Sequence, residues 1–321
     1  MTTPNAPAPS EPFNSFLLDV DDGHQVYVEE NGNPDGLPLI SFHGGPGSFT
    51  KPKHRTYYDL NKFRLILFDQ RCGGQSRPLA VENRAALAGF SPAAIVADAE
   101  RIRQHLNIEN WHVTGASWGS TMALLYAITY PEVTRSITPR MMFLGTARNW
   151  AWMANGAEIM APPAFAAAQA LAHGKRGIDL VQTLADRILS DDDALATAQA
   201  LFGMEHGLEV LSPPPEPTAE PKPAKTDAEI LNNALLYAHV IKNHLLPDGW
   251  ATSDKAKAAL RGKPLAIVHG ACDVGCPLQD VYALQAAHPQ AELHIAPNCG
   301  HGVDLGGQSD ALYHAALSRL D

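Results

Sequence analysis

Short, nearly all-apolar runs recur along the chain between breaks rich in Gly, Pro and Asp, and that pattern predicts its elements before any chemistry is considered. Phe16–Val20 and His24–Glu30, joined across Asp21-Asp-Gly23, are expected to form an antiparallel strand pair. Leu39–Phe42 and Leu65–Phe68 read as strands buried on both faces. They stop abruptly at His43-Gly-Gly-Pro-Gly47 and at Asp69-Gln-Arg-Cys-Gly-Gly-Gln-Ser76. A helix follows Ser91, which can cap it, with Pro92 suited to its first position and Ile95, Ala99, Ile102 and Leu106 on one face. Next come a strand at Trp111–Thr114, an apolar helix from about Ser117 to Tyr130, and a strand from about Ser136 to Phe143.

The pattern then changes. From Gly145 to Lys257 the chain is Ala-rich and helical, interrupted by Ser212-Pro-Pro-Pro-Glu-Pro217 and Glu220-Pro-Lys-Pro223, a piece expected to be a surface connector. Strand-like runs return at Pro264–Val268 and Glu292–Ile295. Strands alternating with helices on both sides of a helical block predict an α/β fold, a mostly parallel sheet carrying an inserted cap. The expected organisation is a catalytic core at 13–144 and 258–321, with a helical cap at 145–257. There is no internal repeat.

Composition narrows the function. The 321 residues, 45% hydrophobic and 18% charged, are those of an ordinary folded protein. A net charge of −10, with no Lys/Arg run, argues against a nucleic-acid partner. Met1–Pro12 has neither an apolar core nor a basic start, so a mobile tail is expected there rather than a signal or anchor. No apolar stretch reaches the roughly 18 residues of a spanning helix. These readings predict no membrane partner and a cytoplasmic location, and leave the oligomeric state open. Four cysteines are too few for a disulfide scaffold.

Gly115-Ala-Ser-Trp-Gly119 fits G-x-S-x-G between a strand and an apolar helix. The small residues matter because a strained strand-to-helix turn presents the serine and leaves no room for larger neighbours. Ser117 is therefore the candidate nucleophile. Glycines in His43-Gly-Gly-Pro-Gly47 let backbone N–H groups converge on one oxygen, so Gly45, or Gly44, together with Trp118 are candidate oxyanion donors. The acid and base should follow the serine in the order acid, then His. Asp273 lies after one late strand, and His301, flanked by glycines, after the next. The other histidines, His269 included, are read as packing or surface residues. A metal set of Cys272, Cys276, Cys299 and His301 lacks the spacing of known sites, so neither metal nor cofactor is expected.

Together, Gly32-Asn-Pro34, His43-Gly-Gly-Pro-Gly47, Phe68-Asp-Gln-Arg71, Ser117-Trp-Gly-Ser120, Tyr130-Pro-Glu132 and Ala291-Glu-Leu-His-Ile295 resemble the proline iminopeptidases, a family of the α/β-hydrolase fold. The resemblance runs from about residue 14 to the end and is weakest in the cap. It implies removal of an N-terminal residue, typically proline, from a small or short-peptide substrate through an acyl-enzyme. It also implies Ser117, Asp273 and His301 as triad and Gly45 and Trp118 as oxyanion donors, and it matches Cys276 to a cysteine through which thiol reagents inhibit. In the cap, Gly203-Met-Glu-His-Gly207 resembles a segment whose carboxylate holds the substrate amine, which implies Glu205. Ile241-Lys-Asn-His-Leu-Leu246 puts Lys242 where a second carboxylate is usual; Glu209 or Glu229 would serve if the cap alignment is shifted. Arg140 and Phe143 match family positions near the pocket, whereas Leu246 and Met153 replace aromatics. The expected pocket is thus less aromatic and less anionic than a proline-specific one. The competing expectation is an amidase, esterase or lactonase acting on an acyl group without a free amine.

Overall fold

The computed structural model describes residues 11–209, 225–301 and 308–321. The Pro-rich connector and nearly all of the N-terminal tail anticipated above lie outside these residues. Eight strands form one sheet: β1 (Asn14–Asp19), β2 (Gln25–Gly32), β3 (Leu37–Phe42), β4 (Phe63–Phe68), β5 (Trp111–Ser117), β6 (Thr134–Met142), β7 (Ala266–Gly270) and β8 (Glu292–Ala296). Their order is β1-β2-β4-β3-β5-β6-β7-β8. β1 pairs antiparallel with β2, with Phe16 opposite Val28, and β2 pairs antiparallel with β4; the remaining pairings are parallel. The continuous apolar runs occupy the middle of this sheet. Leu39, Ile40, Leu65 and Ile66 are wholly buried, since helices cover both faces.

The helices before and after β5 form for local reasons. In α2 (Pro92–His105) the Ser91 hydroxyl accepts the Ala94 N–H, Pro92 opens the first turn, and Ile95, Ala99 and Ile102 face the core. α3 (Trp118–Thr129) is buried almost all round, hence its lack of a polar face. Burying large side chains such as Trp111, Trp118 and Phe42 contributes about 1.5–3 kcal/mol each.

A short α1 (Pro52–Arg55) lies between β3 and β4. Five helices follow β6: α4 (Ala147–Met160), α5 (Pro162–Leu171), α6 (Gly177–Ser190), α7 (Ala194–Glu209) and α8 (Asp227–Asn243). Their apolar faces join the core that runs from the sheet through α2 and α3. The block starts and ends at one neck, where Thr146 bridges Leu246 and the Leu246 N–H donates to Gly145 O at 3.0 Å. The chain then returns through α9 (Asp254–Ala259), β7, α10 (Leu278–Ala287), β8 and α11 (Gln308–Ser318). Among the described residues, no helix is long and apolar enough to cross a membrane.

Candidate active site

Ser117 ends β5 with φ +56°, immediately before α3. Such a backbone is costly for a residue with a side chain and persists only where its surroundings enforce it. They do so through the two glycines. A Cβ on Gly115 would lie 2.1 Å from Gly119 O, and one on Gly119 would lie 2.0 Å from Phe42 O. The tightness that the motif implied is therefore present on both sides of the serine.

Two late loops converge on it. Ala271 N–H donates to Ala296 O at 2.8 Å and Cys272 N–H to Cys299 O at 2.9 Å, so the loops after β7 and β8 are knitted together. Gly270 permits this approach, because a Cβ there would sit 2.2 Å from Cys299 O. His301 Nδ1 lies 2.9 Å from Asp273 Oδ2, and His301 Nε2 lies 3.1 Å from Ser117 Oγ. With the Nδ1 proton directed at the carboxylate, Nε2 is left to accept the serine's proton. Asp273 Oδ1 accepts the Cys276 N–H at 2.8 Å. Burial disfavours the Asp273 charge, but the imidazole outweighs it and the pKa falls below the usual carboxylate value. Burial likewise opposes the His301 charge, and Asp273 outweighs it, raising that pKa well above the ordinary value.

On the other side of Ser117, residues of two sequence motifs interlock. Gln70 N–H donates to His43 Nε2 at 3.0 Å, Gln70 Nε2 donates to His43 O at 3.0 Å, and the Trp118 indole N–H donates to Gln70 Oε1 at 3.0 Å. His43 Nδ1 is left to donate to Gly44 O at 2.8 Å. The Asp69 carboxylate takes the N–H groups of Thr50 and Gln75. Gln70 thus braces the glycine-rich loop at His43, while Arg71 turns away to Asp98.

A pocket opens beside Ser117 and His301, lined by Gly45, Phe143, Trp150, Met153, Glu205, Glu209 and Tyr237. Phe143, Trp150 and Tyr237 meet edge-to-face, with centroids 5.1 and 5.4 Å apart. The Tyr237 hydroxyl donates to Glu205. Burial, then the charge of Glu209, pushes the Glu205 pKa up to about 7 despite that hydrogen bond. A wider groove of about 830 Å³ adjoins the pocket, includes Gly44, and shares Ser117, Glu205 and His301 with it.

Comparisons with known proteins identify the fold and the family. A family model described as alpha/beta hydrolase fold matches residues 38–155. The chain is 37% identical to the proline iminopeptidase of Xylella fastidiosa (strain Temecula1 / ATCC 700964), over 96% of each chain. It is 34% identical to that of Arabidopsis thaliana, over 95% of this chain and 79% of the relative. Among solved structures, the proline iminopeptidase of Mycobacterium smegmatis superposes with a TM-score of 0.55 at 18% identity, covering 95% of this chain and 97% of that one, a likeness of fold alone. The chain belongs to the proline iminopeptidase family. It is an enzyme of the α/β-hydrolase fold.

Of the substrate-pocket residues that the family resemblance implied, Phe143, Met153 and Glu205 line the pocket, as does Cys276, whereas Lys242, Leu246 and Arg140 lie elsewhere. Lys242 points away: its Nζ pairs with Asp186 of α6 at 2.9 Å, so it neither repels a substrate amine nor ties up Glu205. Leu246 closes the neck at Gly145. The Arg140 guanidinium stacks on Tyr57 and Tyr313 at 5.1 and 4.8 Å and pairs with Asp310 at 3.0 Å, tying β6 to α11. Glu229 is occupied as the N-terminal cap partner of Thr226. Trp150 and Tyr237 were missed; with Phe143 they make the pocket aromatic, and Glu209, the alternative carboxylate, lines it beside Glu205. Only the faces that α4, α7 and α8 turn toward Ser117 distinguish them from other buried residues of those helices.

The rejected metal set is also rearranged. Asp273, Cys276 and His301 bring side-chain ligand atoms within 4.8 Å of one another, but Asp273 and His301 are already bonded together and burial pushes the Cys276 thiol up to about 11.

Proposed function

We propose that the protein is an aminopeptidase that removes an N-terminal proline or small apolar residue from a short peptide. The observation that carries this reading is the position of two carboxylates, Glu205 and Glu209, in an aromatic pocket shared with Ser117 and His301. A pocket with that lining accepts an apolar ring or small side chain and offers negative charge to its amine.

In the mechanism, Ser117 Oγ attacks the carbonyl as His301 Nε2 takes its proton, and Asp273 holds the imidazole and stabilises its charged form. His301 then delivers the proton to the leaving amine. Water attacks the acyl-enzyme with His301 again as base, and the amino acid is released. The backbone N–H groups of Gly45 and Trp118 hold the oxyanion. Two features support that pairing. The Trp118 N–H heads α3, where helix amides lack intrahelical partners. In a trans peptide C=O and N–H point opposite ways, so the bond from His43 to Gly44 O directs the Gly45 N–H away from His43.

The pocket sits against α4, α7 and α8, so those helices act as a cap that selects the substrate. The wider groove takes the leaving peptide. No disulfide joins the described cysteines, which suits a reducing compartment, and we place the enzyme in the cytoplasm. The test pairs proline-, alanine- and leucine-linked chromogenic amides with their N-blocked analogues and simple esters. Free-amine proline and alanine amides are expected to be the best substrates; preference for blocked substrates would overturn the reading.

A further inference from the structure

The seam between β6 and β7 is thin where the chain leaves the sheet toward Asp273. The two strands pair at Arg140↔Val268, with one further bridge at Ile137↔Leu265. Beyond Arg140 the chain turns through Met141 at φ +47°, which takes the end of β6 out of register with β7. The Met142 N–H then needs another partner, and it donates to His269 Nδ1 at 2.9 Å. A ring nitrogen that accepts carries no proton, so the proton of this imidazole resides on Nε2. Nε2 lies 2.8 Å from Cys276 O and 3.6 Å from Asp273 Oδ2. The ring is 0% exposed, and its burial lowers its pKa, which keeps it neutral with this tautomer.

We propose that His269 is a positioning residue for the catalytic acid, a clip between the end of β6 and the turn from Asp273 to Cys276. Holding Cys276 O fixes the peptide segment whose neighbouring Cys276 N–H bonds Asp273 Oδ1. The other side of the clip ends at Met142, one residue before Phe143 in the pocket wall. The imidazole therefore sets the acid, and through it His301, relative to the wall that receives the acyl group. It touches no substrate. This inference rests on the triad reading above.

The two nitrogens can be tested separately. The side-chain amide of Asn falls near the position of Nδ1, and the amide of Gln near that of Nε2. His269→Asn can keep the bond from Met142, whereas His269→Gln can keep the bond to Cys276 O. On a proline-linked chromogenic amide, His269→Ala and His269→Asn are expected to lower kcat by roughly 10- to 100-fold, the size of effect that a misplacement of about 1 Å produces, with KM little changed. His269→Gln should recover most of the rate. The second readout is the acid limb of the pH–rate profile on p-nitrophenyl acetate. A loosened Asp273 supports the His301 charge less, so the limb should move to lower pH in the Ala and Asn variants and stay in place in Gln. Cys276 and Glu205 also act on His301; the Cys276 thiol, pushed up to about 11, stays uncharged throughout that limb, and Glu205 is common to every variant.

A limb that stays in place while the rate falls only with the folded fraction, measured by circular dichroism, would reduce His269 to packing and overturn the proposal. So would wild-type rates in all three variants, or an Asn variant faster than Gln. If His269→Ala does not fold, the Asn and Gln pair still decides. Ser117→Ala runs alongside: retained activity there overturns the triad itself, whereas an inactive Ser117→Ala beside unaffected His269 variants overturns only the clip.

Discussion

Two carboxylates flank the Ser117–His301 site in opposite electrostatic states. Asp273, in the loop after β7, has its charge met by His301 and by the Cys276 N–H, and its pKa lies below the ordinary carboxylate value. Glu205, on α7, is half-buried; it has the Tyr237 hydroxyl as donor and Glu209 as a like-charged neighbour, and desolvation together with Glu209 raises its pKa to about 7. The loops of the sheet compensate their own charge internally. The helical block leaves a charge incompletely met, which is the condition for a site whose missing partner arrives with the substrate.

That contrast can be broken most severely from the sheet side. Ser117→Ala should lower kcat by about a million-fold, read with active-site titration to exclude trace wild type. Asp273→Asn should cost about 10⁴-fold, because the amide favours the wrong imidazole tautomer. On the helical side the effect should be smaller and selective. Glu205→Gln should weaken free-amine substrates by about 2 kcal/mol, roughly 30-fold in KM, and leave N-blocked esters unaffected. Equal losses on both substrates would place Glu205 in catalysis rather than recognition.

Protonation sharpens the same distinction. Glu205 is charged above about 7, and an N-terminal ammonium is lost above about 8, so both charges coexist between those values. KM for a free-amine amide should therefore rise as pH falls through about 7, where Glu205 becomes neutral. N-blocked substrates should show only the limb from His301, which must be neutral to act as base. The smallest effect belongs to Lys242→Glu. Its partner Asp186 would meet a like charge at the surface, costing under about 1 kcal/mol in a thermal melt, and peptidase kinetics should not change.

Much of the sheet was legible in the chain. Buried parallel strands must be apolar on both faces, and the runs at Leu39 and Leu65 could be little else. Strand bounds moved by a few residues, with β6 running Thr134–Met142 instead of from Ser136 to Phe143. The convergence of Ser117, Asp273 and His301 was legible for a different reason. A Cβ at Gly115 or Gly119 beside Ser117, or at Gly270 before Asp273, would meet backbone at about 2 Å, so that steric need is written locally. The helical block resisted such reading. Lys242 follows directly after buried Ile241 on α8, yet the pitch of the helix carries its ammonium to Asp186 rather than to Glu205. Arg140 shows the same limit on β6, where its guanidinium is taken up by Tyr57, Tyr313 and Asp310.

The sequence by itself determined the α/β architecture, the nucleophile elbow and the order Ser117, Asp273, His301, because these depend on residue size, turn chemistry and chain order. Only the tertiary structure decided what stands opposite them: Glu205, Glu209, Trp150 and Tyr237 in the pocket, and His269 between the strand end and the acid turn. Those placements depend on which face a helix turns inward and on where two strands part. Both are set by packing among residues far apart in the chain, and no local pattern records them.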